Sequence, residues 1–128
     1  MSMDGHYDIG MDIINVERIR TSYRRYGDRF LEKILTGDEI TLCRKKADMM
    51  QSVAARFAAK EAISKALGCG ISKHFNWQSV EVLNGPEGKP FVRVIDKKCK
   101  ITEGSIKISL SHDKQYASAV VLIFNKKV

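Results

Sequence analysis

Arg56, Lys60, Glu61 and Lys65 stand in a stretch, Val53 to Leu67, that is otherwise Ala, Val, Phe, Ile and Leu on nearly every side. A helix that is apolar all round is normally buried, and a buried charge is costly unless it is paired or bound to something charged. Glu61 and Lys65 are four residues apart, which separates them by about 40° around a helix axis and puts them on one face. By itself the spacing favours an i,i+4 salt bridge in the Glu-before-Lys order. A surface pair, however, belongs on a polar face, and this helix hardly has one. Asp12, between Met11 and Ile13, is the second candidate. Alone it reads as an ordinary strand-end acid. With a second carboxylate it could hold Mg2+, which is commonly bound by one or two carboxylates plus substrate phosphates. An Asp/Glu pair beside Lys and Arg would suit a metal-assisted reaction at phosphate. The spacing leaves open whether Asp12 and Glu61 meet.

Two further clusters carry weaker signals. Ser109-Leu110-Ser111-His112-Asp113 invites comparison with a hydrolase triad. Contiguous residues do not reach that geometry, because triad members come together through the fold, and no G-x-S-x-G elbow is present. Arg18, Arg20, Arg24, Arg25, Arg29 and Lys33, interrupted by Glu17, Asp28 and Glu32, form a basic run. It reads as a solvated helix face or as a dock for an acidic partner, which steering would speed. Charge alone also fits a small module that binds RNA or DNA, although Tyr23, Tyr26 and Phe30 make no RRM signature and no zinc-finger spacing exists. There is no Walker A sequence and no dinucleotide fingerprint. Gly68-Cys69-Gly70 is a short Gly pair that would let a ligand approach the backbone closely.

The elements that must position these residues are legible in outline. Tyr7 to Ile13 alternates as a short strand. Val16 to Tyr26 and Arg29 to Leu35 read as helices. Thr36 and Glu39 have capping-box spacing, so another helix begins there. Met49 to Leu67 is the longest helix, and Gly68 stops it. Ser79 to Leu83 and Phe91 to Ile95 are strands around the turn cluster Asn84 to Gly88. Ser105 to Ser111 alternates, with Ile106, Ile108 and Leu110 on one face. Tyr116 to Phe124 is apolar on both faces and should be a central strand. A helical half followed by a strand-rich half predicts α+β, with the long helix packed on an antiparallel sheet.

The chain has 128 residues, 44% hydrophobic and 29% charged. That is a single domain, 1–128, long enough to bury a core without disulfides. The composition excludes disordered, collagenous and disulfide-scaffold classes, and no apolar run approaches a membrane span. The net charge of +7 attracts polyanions of several kinds. Cys43, Cys69 and Cys99 have no CxxC pairing, which argues against a disulfide framework or a Cys zinc site. The polar start lacks the basic and apolar regions of a signal peptide, and a reducing cytoplasm is the expected location.

Together these pieces resemble a known family. Asp8-Ile9-Gly10-Met11-Asp12-Ile13 with Arg18-Ile19 resembles the N-terminal motif of holo-acyl-carrier-protein synthases. Arg56-Phe57-Ala58-Ala59-Lys60-Glu61-Ala62-Ile63-Ser64-Lys65-Ala66 resembles the second and most specific signature of 4′-phosphopantetheinyl transferases. Gly88-Lys89-Pro90, and Ile108 to Asp113 with Tyr116-Ala117, match two further segments in the right order. Four motifs in order cover nearly the whole chain.

The resemblance implies the 4′-phosphopantetheinyl transferase fold. It also implies transfer of the 4′-phosphopantetheine arm of coenzyme A to a serine of apo-acyl carrier protein, releasing adenosine 3′,5′-bisphosphate, in support of fatty acid biosynthesis. It assigns Asp12 and Glu61 to Mg2+, with Mn2+ as an alternative ion, and Lys65 to the leaving phosphate. Arg56, Ser111 and His112 would contact coenzyme A at its nucleotide phosphates. Gly68, Gly70, Lys89 and Pro90 would line the nucleotide pocket, and Ser64 would also bind the coenzyme. Arg18, Arg25 and Arg29 would face the acidic carrier protein. The family pattern further implies a homotrimer with active sites at subunit junctions, and neither nucleic acid nor membrane as a partner. Cys69 departs from the pattern, which commonly has Thr between the two glycines.

Overall fold

The computed structural model describes residues 5–72, 74–99 and 101–126, with residue 126 as backbone only. Strand β1 (Gly5–Asn15) is followed by α1 (Val16–Tyr26), α2 (Asp28–Ile34), α3 (Gly37–Arg44) and α4 (Met49–Leu67). The second half holds β2 (Val80–Asn84), β3 (Pro90–Val94), a 3-10 turn at Lys97–Cys99, β4 (Ile106–His112) and β5 (Tyr116–Lys126). This is the expected α+β order.

The caps explain where the helices start. Thr36 and Glu39 form the full capping box: Glu39 N–H donates to Thr36 Oγ1 and Thr36 N–H to Glu39 Oε1. Asp48 caps α4 by accepting from the N–H groups of Met50 and Gln51. At the other end Gly68 takes φ +78°, a left-handed conformation that favours glycine, and its N–H closes on Ser64 and Lys65.

The strands make two sheets where a single one was expected. β1, β5 and β4 form an antiparallel sheet in that order, so β5 is central, as its two apolar faces predict. β2 and β3 form a separate hairpin. The reason lies at the free edge of β3. There Val94 N–H donates to the Glu103 carboxylate, a side chain standing where a strand carbonyl would otherwise be, and Pro90 has no N–H to offer.

Register decides which side chains meet α4. Gly10 sits opposite Val121 and Asp12 opposite Ala119, while Leu110 and His112 lie across from Ala119 and Ala117. Asp12, Leu110 and His112 therefore share the face that Ala117, Ala119, Val121 and Ile123 turn into the core. α4 crosses that face directly over Gly10. A Cβ there would lie 1.9 Å from the Ala62 carbonyl oxygen, a backbone atom that cannot move without the helix. The missing side chain lets helix and strand come close enough for Asp12 to reach the Glu61–Lys65 turn.

Candidate active site

Asp12 comes from the inner face of β1, and Glu61 and Lys65 come from successive turns of α4. The fold brings all three together. Lys65 Nζ donates to Asp12 Oδ1 at 2.9 Å and to the Met11 carbonyl at 3.1 Å. The i,i+4 bridge that spacing favours is therefore replaced: among the described residues Lys65 pairs with Asp12 and not with Glu61. Glu61 is half-buried. Burial first, and then the Asp12 carboxylate, push its pKa up, while Lys65 pulls it down. The two carboxylates thus feel each other across the Gly10 contact. Lys65 remains more than half exposed, so the trio opens to solvent.

The remaining candidates divide along α4. A cavity of about 460 Å3 lies beside its first half, lined among others by Lys46, Gln51, Arg56, Asn84, Pro90 and His112. Arg56 is buried at its wall. Its Nε donates to Val82 O, one terminal nitrogen to Ser52 O and Oγ, and the other to Asn84 Oδ1. Those four bonds leave one of the five guanidinium donors for a ligand. Arg56 is a cross-link between α4 and the β2–β3 hairpin as well as part of the wall. Lys89 lies in a neighbouring groove with Pro90, Phe91 and Lys107.

Ser64, Gly68 and Gly70 do not line that cavity. Gly68 is twelve residues beyond Arg56, about 18 Å along a helix. Ser64 is buried and its hydroxyl donates to the Glu61 carbonyl, while Gly68 and Gly70 are exposed at positive φ past the helix end. Ser111 also parts from His112, because neighbours in a strand point to opposite faces. It lies on the outer face with Ser118, its register partner. Arg18, Arg25 and Arg29 are exposed on α1 and α2. Among the described residues none of the three is in an ion pair, whereas Arg20 and Arg24 are tied to Glu17 and Arg44 to Asp28. Arg25 lies over the Tyr26 ring.

Two contributors escape a reading by motif. One is the buried pair Lys60–Glu39, which anchors the middle of α4 at 2.6 Å. The other is Gln51, which touches His112. Asp48 followed three residues on by Gln51 has capping-box spacing and was the available signal for it. Among the described residues no three of His, Cys, Asp or Glu come together as a metal cage. Two carboxylates at an open surface suit Mg2+, which retains water and phosphate ligands. No helix among the described residues is long and apolar enough to cross a membrane.

Known proteins resemble this chain in sequence and in fold. The family model of the 4′-phosphopantetheinyl transferase superfamily matches residues 8–121. A holo-[acyl-carrier-protein] synthase of Chlorobium chlorochromatii is 49% identical over 116 residues, 91% of this chain and 98% of that protein. The crystal structure of Helicobacter pylori holo-[acyl-carrier-protein] synthase in complex with coenzyme A superposes with a TM-score of 0.80 at 35% identity, covering 91% of this chain and 99% of that one. The synthase from Bacillus anthracis in complex with CoA (3′,5′-ADP) gives 0.76 at 38% identity, covering 92% and 96%.

Proposed function

The chain belongs to the 4′-phosphopantetheinyl transferase superfamily, and from that premise we propose that it is a holo-acyl-carrier-protein synthase. It transfers 4′-phosphopantetheine from coenzyme A to a serine of apo-acyl carrier protein and releases adenosine 3′,5′-bisphosphate. The observation that carries the reading is the meeting of Asp12 and Lys65, beside Glu61, at one solvent-open point.

The serine hydroxyl attacks the diphosphate phosphorus on the pantetheine side. The bond from that phosphorus to the bridging oxygen breaks. The serine proton is taken up at the Asp12–Glu61 carboxylate pair, and negative charge grows on the departing nucleotide phosphate. Phosphoryl transfer needs positioning and charge neutralisation more than covalent help, and the Lys65 ammonium supplies both at the leaving oxygen. Asp12 keeps that ammonium in place at 2.9 Å. A Mg2+ ion, held by Asp12 and Glu61 with the diphosphate, would add Lewis-acid neutralisation when bound. The cavity beside Arg56 and His112 receives the nucleotide end, and Arg18, Arg25 and Arg29 receive the acidic carrier. Fatty acid biosynthesis in the cytoplasm is the setting such a reaction serves.

The working form is a homotrimer. The sheet face turned away from α4 carries Tyr7, Ile9, Met11 and Ile13 in a row, with Ile9 67% and Met11 60% exposed, beside Tyr116 and Leu122. A contiguous apolar patch of this kind marks an interface. Met11 and Ile13 point away from Asp12, but β1 is an edge strand, so a second copy seated on this face covers Ser111 and reaches toward the catalytic trio only around that edge. Sedimentation equilibrium should return three times the mass of one chain. Ile9→Lys should shift the protein to monomer and abolish most activity, whereas a wild-type monomer with full turnover would refute the assembly.

The direct test is the intact mass of apo-acyl carrier protein after incubation with the chain, coenzyme A and Mg2+, with an EDTA control. The expected result is a gain of one phosphopantetheine that is absent with EDTA. Folded chain that neither modifies the carrier nor binds coenzyme A would refute the function.

A further inference from the structure

His112 Nδ1 lies 2.8 Å from Gln51 Oε1, on the wall of the cavity assigned to the nucleotide. The orientation of that amide is fixed by its other end. Gln51 Nε2 donates to Asp48 Oδ2 at 3.1 Å, and an ionised carboxylate can only accept. Asp48 is held ionised. Its burial opposes the charge, but bonds from the Gln51 N–H and side chain, then Arg20, then the Met50 N–H, bring its pKa below the usual range. Arg20 reaches Asp48 Oδ2 at 3.5 Å from α1. With Nε2 of Gln51 committed, Oε1 faces the imidazole as an acceptor, so His112 Nδ1 must carry the proton. Free neutral imidazole has two tautomers, and which one is present follows from the bond the other nitrogen makes.

We propose that Gln51, oriented by Asp48, is a positioning residue that locks His112 in the Nδ1–H form and so presents Nε2 to coenzyme A. The inference rests on the functional reading for the identity of the ligand, but the locking itself does not depend on it. In the neutral ring Nε2 is an acceptor for a nucleotide N–H or O–H. In the protonated ring it donates to phosphate, with Nδ1–H already satisfied. Either way the ring arrives with its orientation set, so less freedom is lost on binding. The chain runs from α1 through the α4 cap to the last residue of β4. It ties the nucleotide wall to three elements of the fold.

The test is the tautomer of His112 in the ligand-free protein, read from long-range 1H–15N correlations at mildly alkaline pH. Only two other histidines, His6 and His74, must be distinguished, and the His112→Asn spectrum identifies the signal. The wild type should show Nδ1–H. Gln51→Met, which keeps the length and helix propensity of the side chain, should move the ring toward Nε2–H. The same variant should raise KM for coenzyme A by roughly five- to tenfold, the worth of one lost hydrogen bond, with kcat changed less than about twofold on that scale. An Nε2–H ring in the wild type, or an unmoved tautomer in Gln51→Met, overturns the proposal. A moved tautomer with unchanged KM removes its role in coenzyme A recognition. A wild type that shows the Nδ1–H ring but fails to bind coenzyme A refutes the functional reading and leaves the lock standing.

Discussion

Glu61→Gln is expected to fold and to lose turnover by about 100-fold or more, the usual scale for removing one charge-stabilising group from a preorganised site. The amide keeps the volume and the helix, but it offers a divalent cation only a neutral oxygen and cannot take a proton. Because the loss belongs to the transition state, kcat and kcat/KM should fall together. The stability arm is more discriminating. Burial and then Asp12 raise the pKa of Glu61. A carboxyl whose folded pKa lies above its unfolded one contributes stability below the unfolded value, and that contribution is lost as pH rises through the folded value. At neutral pH, with divalent ions chelated, the charge on Glu61 therefore works against the fold, and Glu61→Gln should melt no lower than the wild type. Removing the charge also leaves Lys65 with its Asp12 partner intact. Thermal melts in EDTA and the carrier mass assay check both arms. Full activity in Glu61→Gln would remove the metal assignment. A clearly lowered melting temperature would show that Lys65 outweighs Asp12 at this carboxylate.

Much of the architecture follows from local rules visible along the chain. The capping box at Thr36 and Glu39, the Gly68 stop and the two apolar faces of β5 each have one physical cause, and each appears where that cause puts it. The site was legible as far as residue type goes. What local reading misjudged was partnership. Glu61 and Lys65 have the spacing of a surface pair, but Lys65 turns to Asp12 because β1 passes beneath α4 at Gly10. No window of sequence contains that crossing. Arg56 is similar: its type points to a phosphate ligand, yet Val82 and Asn84 on β2, with Ser52 one turn back on α4, claim four of its five donors. His112 and Ser111 are adjacent in the chain and on opposite faces of the sheet. A motif joins them, whereas a strand separates them.

Lys60 carries the second large expected effect, on stability. It is fully buried, as is Glu39. Its ammonium donates to Glu39 Oε1 at 2.6 Å and to the carbonyls of Ile34 and Trp77. The other Glu39 oxygen accepts from Val82 N–H. Five chain segments thus converge on one charge pair: the end of α2, the start of α3, the middle of α4, the loop at Trp77 and strand β2. Burial pulls the pKa of Lys60 down, and the Glu39 carboxylate opposes that pull. Lys60→Met fills the space but strands the Glu39 carboxylate and two carbonyls out of water. Breaking a buried pair from one side costs about 3–5 kcal/mol, against a total of about 5–15 kcal/mol for an ordinary domain. The melting temperature should fall by about 10 °C or more. The double variant Lys60→Met/Glu39→Gln should recover part of that loss, because the uncompensated charge is gone. Among the described contacts the Lys60 side chain makes no hydrogen bond or ion pair with Asp12, Glu61 or Lys65. The cooled single variant, assayed well below its transition, should therefore keep carrier modification within a few-fold of the wild type. A single variant that melts with the wild type would show that the pair contributes little. A stable variant with abolished turnover would move Lys60 from the scaffold into the catalytic site.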